Sequence, residues 1–458
     1  DQLQAKVMQL ELENKNLKKL IFGQKRERFA PVDNSAQLSF LAMPVDDETA
    51  VKNEHISYTR KKKSKSKKKP FRQALPDSLP RHDIIIKPEE DTSGMKKIGE
   101  DITEELEYEP AKVYVNRYIR PKYVRPQDSG IAIGMLPVRP IEKGIPGPGL
   151  LAHVMISKFV DHLPLYRQIA QFRRIGVDLP ESTLCGWVKA TYEVILPLVG
   201  LIRAETLKSE YLMADETPIQ VLDPAIKGKS HRGYYWVYYD PLQRQVFFDY
   251  RKGRGRDGPN EVLSDFEGFL QSDGYTGYDD LGRKDRITSL GCMAHARRYF
   301  VQAEDSDPDR ARWMLHHIQL LYKIERYARE SQFSFDQRYE ERQKNATIVM
   351  KVIKDWLDTE GYHVLPQSAI GKAMTYMQNQ WSRLNVYLTD GRLEIDNNLV
   401  ENAIRPIALG RKNYLFAGSH NGAQRAAALY TLLANAKLND IEPFYFLRDI
   451  IDRIPAHP

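Results

Sequence analysis

Two acidic residues sit where short strand-like runs could bring them together: Asp215 in YLMADETPIQV (211–221) and Asp273 in GFLQSD (268–273). Carboxylate oxygens are hard ligands suited to divalent cations. Two such cations about 4 Å apart can drive phosphodiester displacement, one activating the attacking oxygen and the other stabilising the leaving oxygen. Each acid has neighbours that compete for the role. Glu216 follows Asp215 directly, but successive strand residues point to opposite faces, so only one of the two is expected in a shared cluster. Asp279 and Asp280 follow Tyr275, Gly277 and Tyr278, a run expected to form a surface turn. Basic residues stand nearby in sequence. His295, Arg297 and Arg298 share one helical run, Arg405, Arg411 and Lys412 share another, and Arg254 lies in the glycine-spaced loop RKGRGRDG (251–258). Backbone amides and guanidinium forks of this kind suit phosphate. His295 could equally be a core histidine, and Arg254 and Arg256 ordinary surface charges.

Positioning these residues requires a sheet. Aromatic and β-branched runs at 211–221, 233–239 and 245–250 predict three consecutive strands. A helix candidate at 259–266 leads into a fourth strand ending near Asp273, and residues 287–300 read as a strand passing into a helix. Three strands, helix, strand, helix is the order of an RNase H-like α/β core. If the first and fourth strands are adjacent, Asp215 and Asp273 meet at one edge. Residues 308 to about 390 lack strand signals and carry Trp313, Leu320, Tyr327, Val349, Ile353 and Trp356 at helical spacing, which predicts an all-helical insertion.

The upstream half is modular. Leu3, Val7, Leu10, Asn14, Leu17 and Ile21 alternate steps of four and three, a heptad seam on which Asn14 would fix register. Eight of the ten residues from Arg60 to Lys69 are basic, with nothing apolar to bury, so Lys61, Lys62 and Lys63 belong to a tethered polycation suited to sequence-blind phosphate contact. Short β-rich stretches follow from 84 to 133, notably 112–119, before the hinge GIPGPG (144–149). Residues 150–169 and 182–188 predict helices. Their Arg167, Arg173 and Arg174 fit either a helix-turn-helix or a purely structural layer.

Bulk properties agree with a soluble, cytoplasmic DNA-associated chain. The length of 458 residues implies several domains, and a net charge of +7 with a pI near 9.0 favours a polyanionic partner. Two cysteines, Cys185 and Cys292, cannot build a disulfide framework or a four-thiolate zinc site. Apolar runs look too short to span a bilayer. The chain opens on Asp1 with no methionine, as expected if its true start lies upstream.

Four motifs, ADETP (214–218), SDGYTGYD (272–279), CMAHARRYF (292–300) and DNNLVENAIRPIALGRKNYLFAGS (396–419), together resemble transposases of the insertion-sequence family numbered sixty-six. LIFGQKRERF at the end of the N-terminal helix and SKFVDHLPLYRQ (157–168) extend the resemblance through nearly the whole chain. It implies an RNase H-like catalytic domain with Asp215, Asp273 and Glu401 as catalytic, metal-holding acids, two Mg²⁺ or Mn²⁺ ions, and cleavage at element ends followed by strand transfer. The alternatives are a nuclease or resolvase that cuts without joining, and a non-catalytic DNA-binding regulator. Terminal repeats and target DNA, self-association and helper proteins of the same element are the implied partners, and the bacterial nucleoid the implied place. Relatives carry cysteine-based zinc binding near 85–130; no cysteine lies there in this chain, so zinc is not expected.

Glu401 has two rivals, Glu394 and Asp396. A helix starting near Asp396 would make that residue an N-cap, leave Glu394 with no element to fix it, and put Asn397, Glu401 and Arg405 on one polar face. For Arg405 an ion pair with Glu401 competes with phosphate binding, and Pro406 should kink or end the helix. The expected organisation is a multidomain α/β chain: an N-terminal coiled-coil helix (1–29), a basic disordered linker (30–82), a small β-rich module (83–143), a helical DNA-binding module (150–205), the core's first part (206–300), the insertion (301–392), and the last core helix with C-terminal helices (393–458).

Overall fold

The computed structural model describes residues 113–124, 131–133, 137–142, 144–223, 230–283 and 286–457. The expected coiled-coil helix and the lysine run, including Lys61, Lys62 and Lys63, lie outside the described residues. The chain divides into two compact units, one spanning 42–136 and the other comprising 1–41 and 137–458.

In the smaller unit, β1 (Lys122–Val124) pairs antiparallel with β2 (Ile131–Ile133). The strand expected at 112–119 is not formed among residues 113–120, whose Tyr114, Val115 and Ile119 side chains are exposed. Pairing begins only after Pro121, which has no N–H to give a ladder.

The larger unit opens with three helices, α1 (Pro148–Phe159), α2 (Leu165–Arg174) and α3 (Glu181–Thr206). The single helix expected over 150–169 is broken before Pro164, where the residue preceding proline is steered away from helical geometry. α3 runs far beyond the 182–188 expected of it, and by length and composition it could cross a bilayer, contrary to the reading of short apolar runs. Its Leu184, Trp187, Val188, Ile195 and Val199 belong instead to the hydrophobic core. These helices pack on the sheet and on the C-terminal helices within one unit.

Then come β3 (Tyr211–Leu222), β4 (Ser230–Asp240), β5 (Gln245–Arg251), the short α4 (Asp257–Val262), β6 (Gly268–Gln271), β7 (Ile287–Leu290) and α5 (Met293–Ala303). The sheet order is β5-β4-β3-β6-β7, with β3–β4 and β4–β5 antiparallel and β3–β6 and β6–β7 parallel. Tyr235 to Asp240 are buried one after another, so both faces of β4 are covered.

No strand interrupts the stretch that follows: α6 (Pro308–Glu330), α7 (Phe335–Glu341), a π-helical turn (Arg342–Ala346), α8 (Thr347–Glu360), α9 (Ala369–Asn379) and α10 (Trp381–Asn385). α11 (Asn398–Tyr414) and β8 (Phe416–Ala417) return to the sheet, where β8 pairs parallel with β3 at Gln220 and Val221. α12 (His420–Leu438) and α13 (Pro443–Arg453) close the chain. The edge strand β5 would expose unpaired backbone groups, and α12 covers them. Val246 N–H donates to Asn435 Oδ1 (3.0 Å), Asn435 Nδ2 donates to Val246 O (2.7 Å), and Phe248 N–H donates to Thr431 Oγ1 (3.0 Å).

Candidate active site

β3 and β6 are parallel neighbours in a register that pairs Met213 with Gln271, so the chain positions two residues further on, Asp215 and Asp273, lie at the same level of the sheet. Below them the two strands are tied by side chains. Tyr211 OH donates to Gln271 Oε1, Gln271 Nε2 donates to the carbonyls of Gly291 and Glu394 (both 3.0 Å), and Glu394 N–H donates back to Tyr211 OH (3.1 Å).

Asp215 is fixed by Glu216 N–H, which donates to its Oδ1 at 2.8 Å. Burial raises the Asp215 carboxyl well above the usual range, and the charges of Asp273, Glu216 and Glu401 push it further the same way. Asp215 is therefore within electrostatic reach of three other carboxylates. Asp273 sits just past β6, where Gly274 takes the left-handed conformation (φ +88°) and a Cβ would come within 3.0 Å of Gln380 Nε2. The turn lets Tyr275 N–H donate to Asp273 Oδ1 (2.8 Å), while Tyr376 OH from α9 donates to the Asp273 carbonyl (2.6 Å).

Glu401 lies in the first turn of α11 and faces two residues of α5: His295 Nε2 is 3.8 Å from its Oε1 and Arg298 3.8 Å from its Oε2. Burial and the Arg298 charge lower the His295 pKa against the pull of Asp273. Among the described residues, no three His, Cys, Asp or Glu side chains stand close enough together to hold a metal ion. The acids share a region without forming a closed ligand cage.

The rival acids are engaged elsewhere. Asp279 accepts from Arg383 of α10 (2.9 Å) and Asp280 pairs with Arg256 (2.8 Å). Glu216 accepts from Arg254 Nε (2.7 Å) and Tyr278 OH (3.3 Å), yet burial, with a smaller push from Asp273, still raises its pKa. Strand alternation turns Glu216 toward other partners without removing it from the acids' field. Glu394 corrects the sequence reading most sharply. Far from lacking an element to fix it, its carboxylate is gripped by Arg338 of α7, NH1 to Oε1 at 2.9 Å and NH2 to Oε2 at 2.8 Å. Asp396 does hold the start of α11, accepting from Asn398 N–H (3.1 Å) and Tyr322 OH (2.7 Å), but from one residue before the cap position. Asn397, expected on a polar face with Glu401, is fully buried, and its amide Oδ1 and Nδ2 have no hydrogen-bond partner among the described residues.

The basic residues divide. His295, Arg298 and Arg254 surround the acids, and Arg297 is half-buried on α5. Arg405 and Lys412 are exposed on α11. Arg411 is turned inward, donating to Thr217 Oγ1 (2.7 Å) and to the Pro218 carbonyl, which docks α11 on β3. Pro406 does not end α11, which continues to Tyr414. Cys292 is buried, its Sγ accepting from Asn397 N–H (3.4 Å), and burial pushes its thiol up. Tyr376, Arg338, Arg342 and Glu325 were not visible as site-building residues in the sequence. Their spacing signals only amphipathic helices.

Residues 143–425 match the family described as Transposase IS66 family. The chain belongs to the IS66 transposase family. Two further segments match models from the same kind of element: residues 9–84 match "Transposase C of IS166 homeodomain", and residues 90–124 match the "zinc-finger binding domain of transposase IS66". IS66 relatives include the uncharacterized proteins y4hP and y4jD of Sinorhizobium fredii. They are 31% and 32% identical, in alignments covering 99% of this chain and 87% and 92% of the relatives. Membership in the IS66 family makes this chain a transposase, an enzyme that cuts and transfers DNA, and implies divalent metal use. The segment matching the zinc-finger domain contains no cysteine and no histidine, so it lacks the thiolate and imidazole donors of a structural zinc site.

Proposed function

We propose that the larger unit is an RNase H-like DDE core in which Asp215, Asp273 and Glu401 hold two divalent cations, and that it cleaves element ends and joins them to target DNA. One observation carries the reading. Adjacent parallel strands bring Asp215 and Asp273 to one level of the sheet, and the Glu401 charge from α11 reaches Asp215. The 3-2-1-4-5 order of strands, antiparallel on one side of the central strand and parallel on the other, supports the fold assignment.

The donor set suits hard cations such as Mg²⁺ or Mn²⁺, being carboxylate oxygen with no thiolate in the cluster. A cation would also relieve the repulsion that buries Asp215's charge among three others. When bound, the ions activate the attacking oxygen and stabilise the leaving one. The chain's own residues do the rest. Glu216 N–H and Tyr275 N–H orient the two aspartates, and Tyr376 anchors the main chain at Asp273. His295 and Arg298 flank Glu401, and Arg298, Arg254, Arg405 and Lys412 would contact DNA phosphates. Water attacks the phosphorus and displaces the 3′ oxygen, and the freed 3′ hydroxyl then attacks a target phosphodiester and displaces the target strand's own 3′ oxygen, the attacking oxygen losing a proton and the leaving oxygen gaining one at each step. The lysine run at 61–69 and the N-terminal heptads would add sequence-blind DNA contact and self-association. Incubating the protein with cloned element ends and either Mg²⁺, Mn²⁺ or EDTA tests the reading. Cleavage with either metal and joining of a 3′-OH oligonucleotide are expected. Cleavage that survives EDTA would refute metal dependence, and cleavage without joining would favour a nuclease or resolvase.

A further inference from the structure

Arg251, the last residue of β5, and the two arginines of the loop that leads from it to α4 are each tied to a carboxylate. Arg251 pairs with Asp249 and Glu261 (both 2.6 Å), Arg256 with Asp280, and Arg254 with Glu216. Only the last pair adjoins the acid cluster, and it is lopsided: the Glu216 side chain is 2% exposed and that of Arg254 44%. The cation therefore caps a buried anion while presenting part of its guanidinium outward. Its plane lies over the Tyr275 ring, 3.9 Å from the centroid, and Tyr275 OH donates to the Arg254 carbonyl at 2.7 Å. Tyr275 is the residue whose backbone N–H orients Asp273, so one residue ties the loop to the turn that carries Asp273. Glu216 would keep a donor if Arg254 left, because Tyr278 OH reaches its other oxygen.

We propose that Arg254 is a phosphate-gripping residue held in reserve by Glu216, so that this carboxylate and the DNA backbone compete for one guanidinium. Before DNA arrives, Arg254 neutralises one of four neighbouring acids and keeps the loop in place through Tyr275. A phosphate entering beside Asp273 offers the same bidentate geometry as a carboxylate. The guanidinium can turn to it while still stacked on Tyr275, leaving Glu216 to Tyr278. The inference rests on the acid cluster as the place where DNA is cut, but the competition concerns binding alone.

The test measures binding of the full chain to a fluorescent duplex carrying an element end, by anisotropy in EDTA across a salt series. Metal and cleavage play no part, so failure here is separate from failure of the three-acid mechanism, which a cleavage assay of E401Q would reveal. Freeing a binding residue from an internal partner raises apparent affinity by the inverse of its free fraction. For a pair half open to solvent that is roughly three- to tenfold in Glu216→Gln. The gain should vanish in Glu216→Gln/Arg254→Gln. A folded E216Q with unchanged affinity overturns the proposal, as does a gain that persists without Arg254, which would reflect only the lost negative charge. If E216Q does not fold by circular dichroism, the half-exposed Arg254→Gln variant decides. Its salt slope should fall by about 0.9, one phosphate's worth, and an unchanged slope overturns the proposal.

Discussion

Arg342 makes the most costly single contact set that the insertion offers. Its side chain is fully buried, and every donor is used: Nε and NH2 to the two oxygens of Glu325 (2.7 and 2.9 Å), NH1 to the carbonyls of Tyr387 (2.6 Å) and Asp390 (2.8 Å), NH2 also to the carbonyl of Leu393 (2.7 Å). Arg338 adds a second cation to the same Glu325 and joins it to Glu394. Arg342→Leu would keep much of the volume and remove all five bonds. Breaking a buried ion pair from one side costs about 3–5 kcal/mol, because the remaining charge stays buried. Glu325 would retain Arg338, which moderates that figure, but three carbonyls would lose a donor at about 1–3 kcal/mol each where water cannot enter. The two corrections oppose each other, so about 4 kcal/mol is the working value. A loss of that size should lower Tm by roughly 10 °C in a unit this large. Urea unfolding and thermal melts measure it. The consequence for the site is specific, since Asp390 and Leu393 belong to the segment that leads into α11 and Glu401. Below the new Tm, cleavage should fall while DNA affinity holds. A variant within about 1 kcal/mol of the parent would show that the cluster does not set the position of residues 390–394, and would refute the reasoning.

Other outcomes follow from the same contacts. Glu401→Gln should abolish cleavage and leave DNA binding and melting temperature near the parent's, whereas Glu394→Gln should chiefly lower stability, because it weakens a partly buried pair with Arg338; a stable, inactive E394Q beside an active E401Q would reverse the assignment. Burial pushes the Asp396 carboxyl up to about 6, outweighing its hydrogen bonds from Tyr322 and Asn398. A raised folded pKa means stability is fully present below the unfolded value near 4 and is lost as pH rises through 6, by up to about 3 kcal/mol. Asp396→Asn should therefore flatten stability between pH 4 and 7 and leave cleavage largely intact, and a parent-like pH profile in that variant would contradict it. Replacing the lysines between Lys61 and Lys69 by Gln should weaken binding to all DNA alike and flatten its salt dependence; a loss confined to element ends would mean the segment reads sequence.

The order of strands and helices was legible in the sequence because period and turn chemistry are local. Runs such as YLMADETPIQV, GYYWVYY and QVFFDY state their own strand character, and Asp215 lies on the first of them. The same local logic placed Glu401 within the first turn of a helix. It failed where a distant partner decides. Nothing near Glu394 in sequence announces Arg338, 56 residues away, so the carboxylate was judged unheld. Asn397 reads as polar and exposed until packing buries it, and Arg411 reads as a phosphate ligand until β3 supplies Thr217 and Pro218 as acceptors. Pro406 was expected to kink or end α11, and the helix does not end there but runs on to Tyr414. The residues able to do the chemistry are thus written in the chain as types and spacings. Which acids share a field, and which arginines remain for DNA, is decided by contacts between segments far apart in sequence. Charge and hydrogen bonding act through space, and only the folded sheet and its helical insertion set those distances.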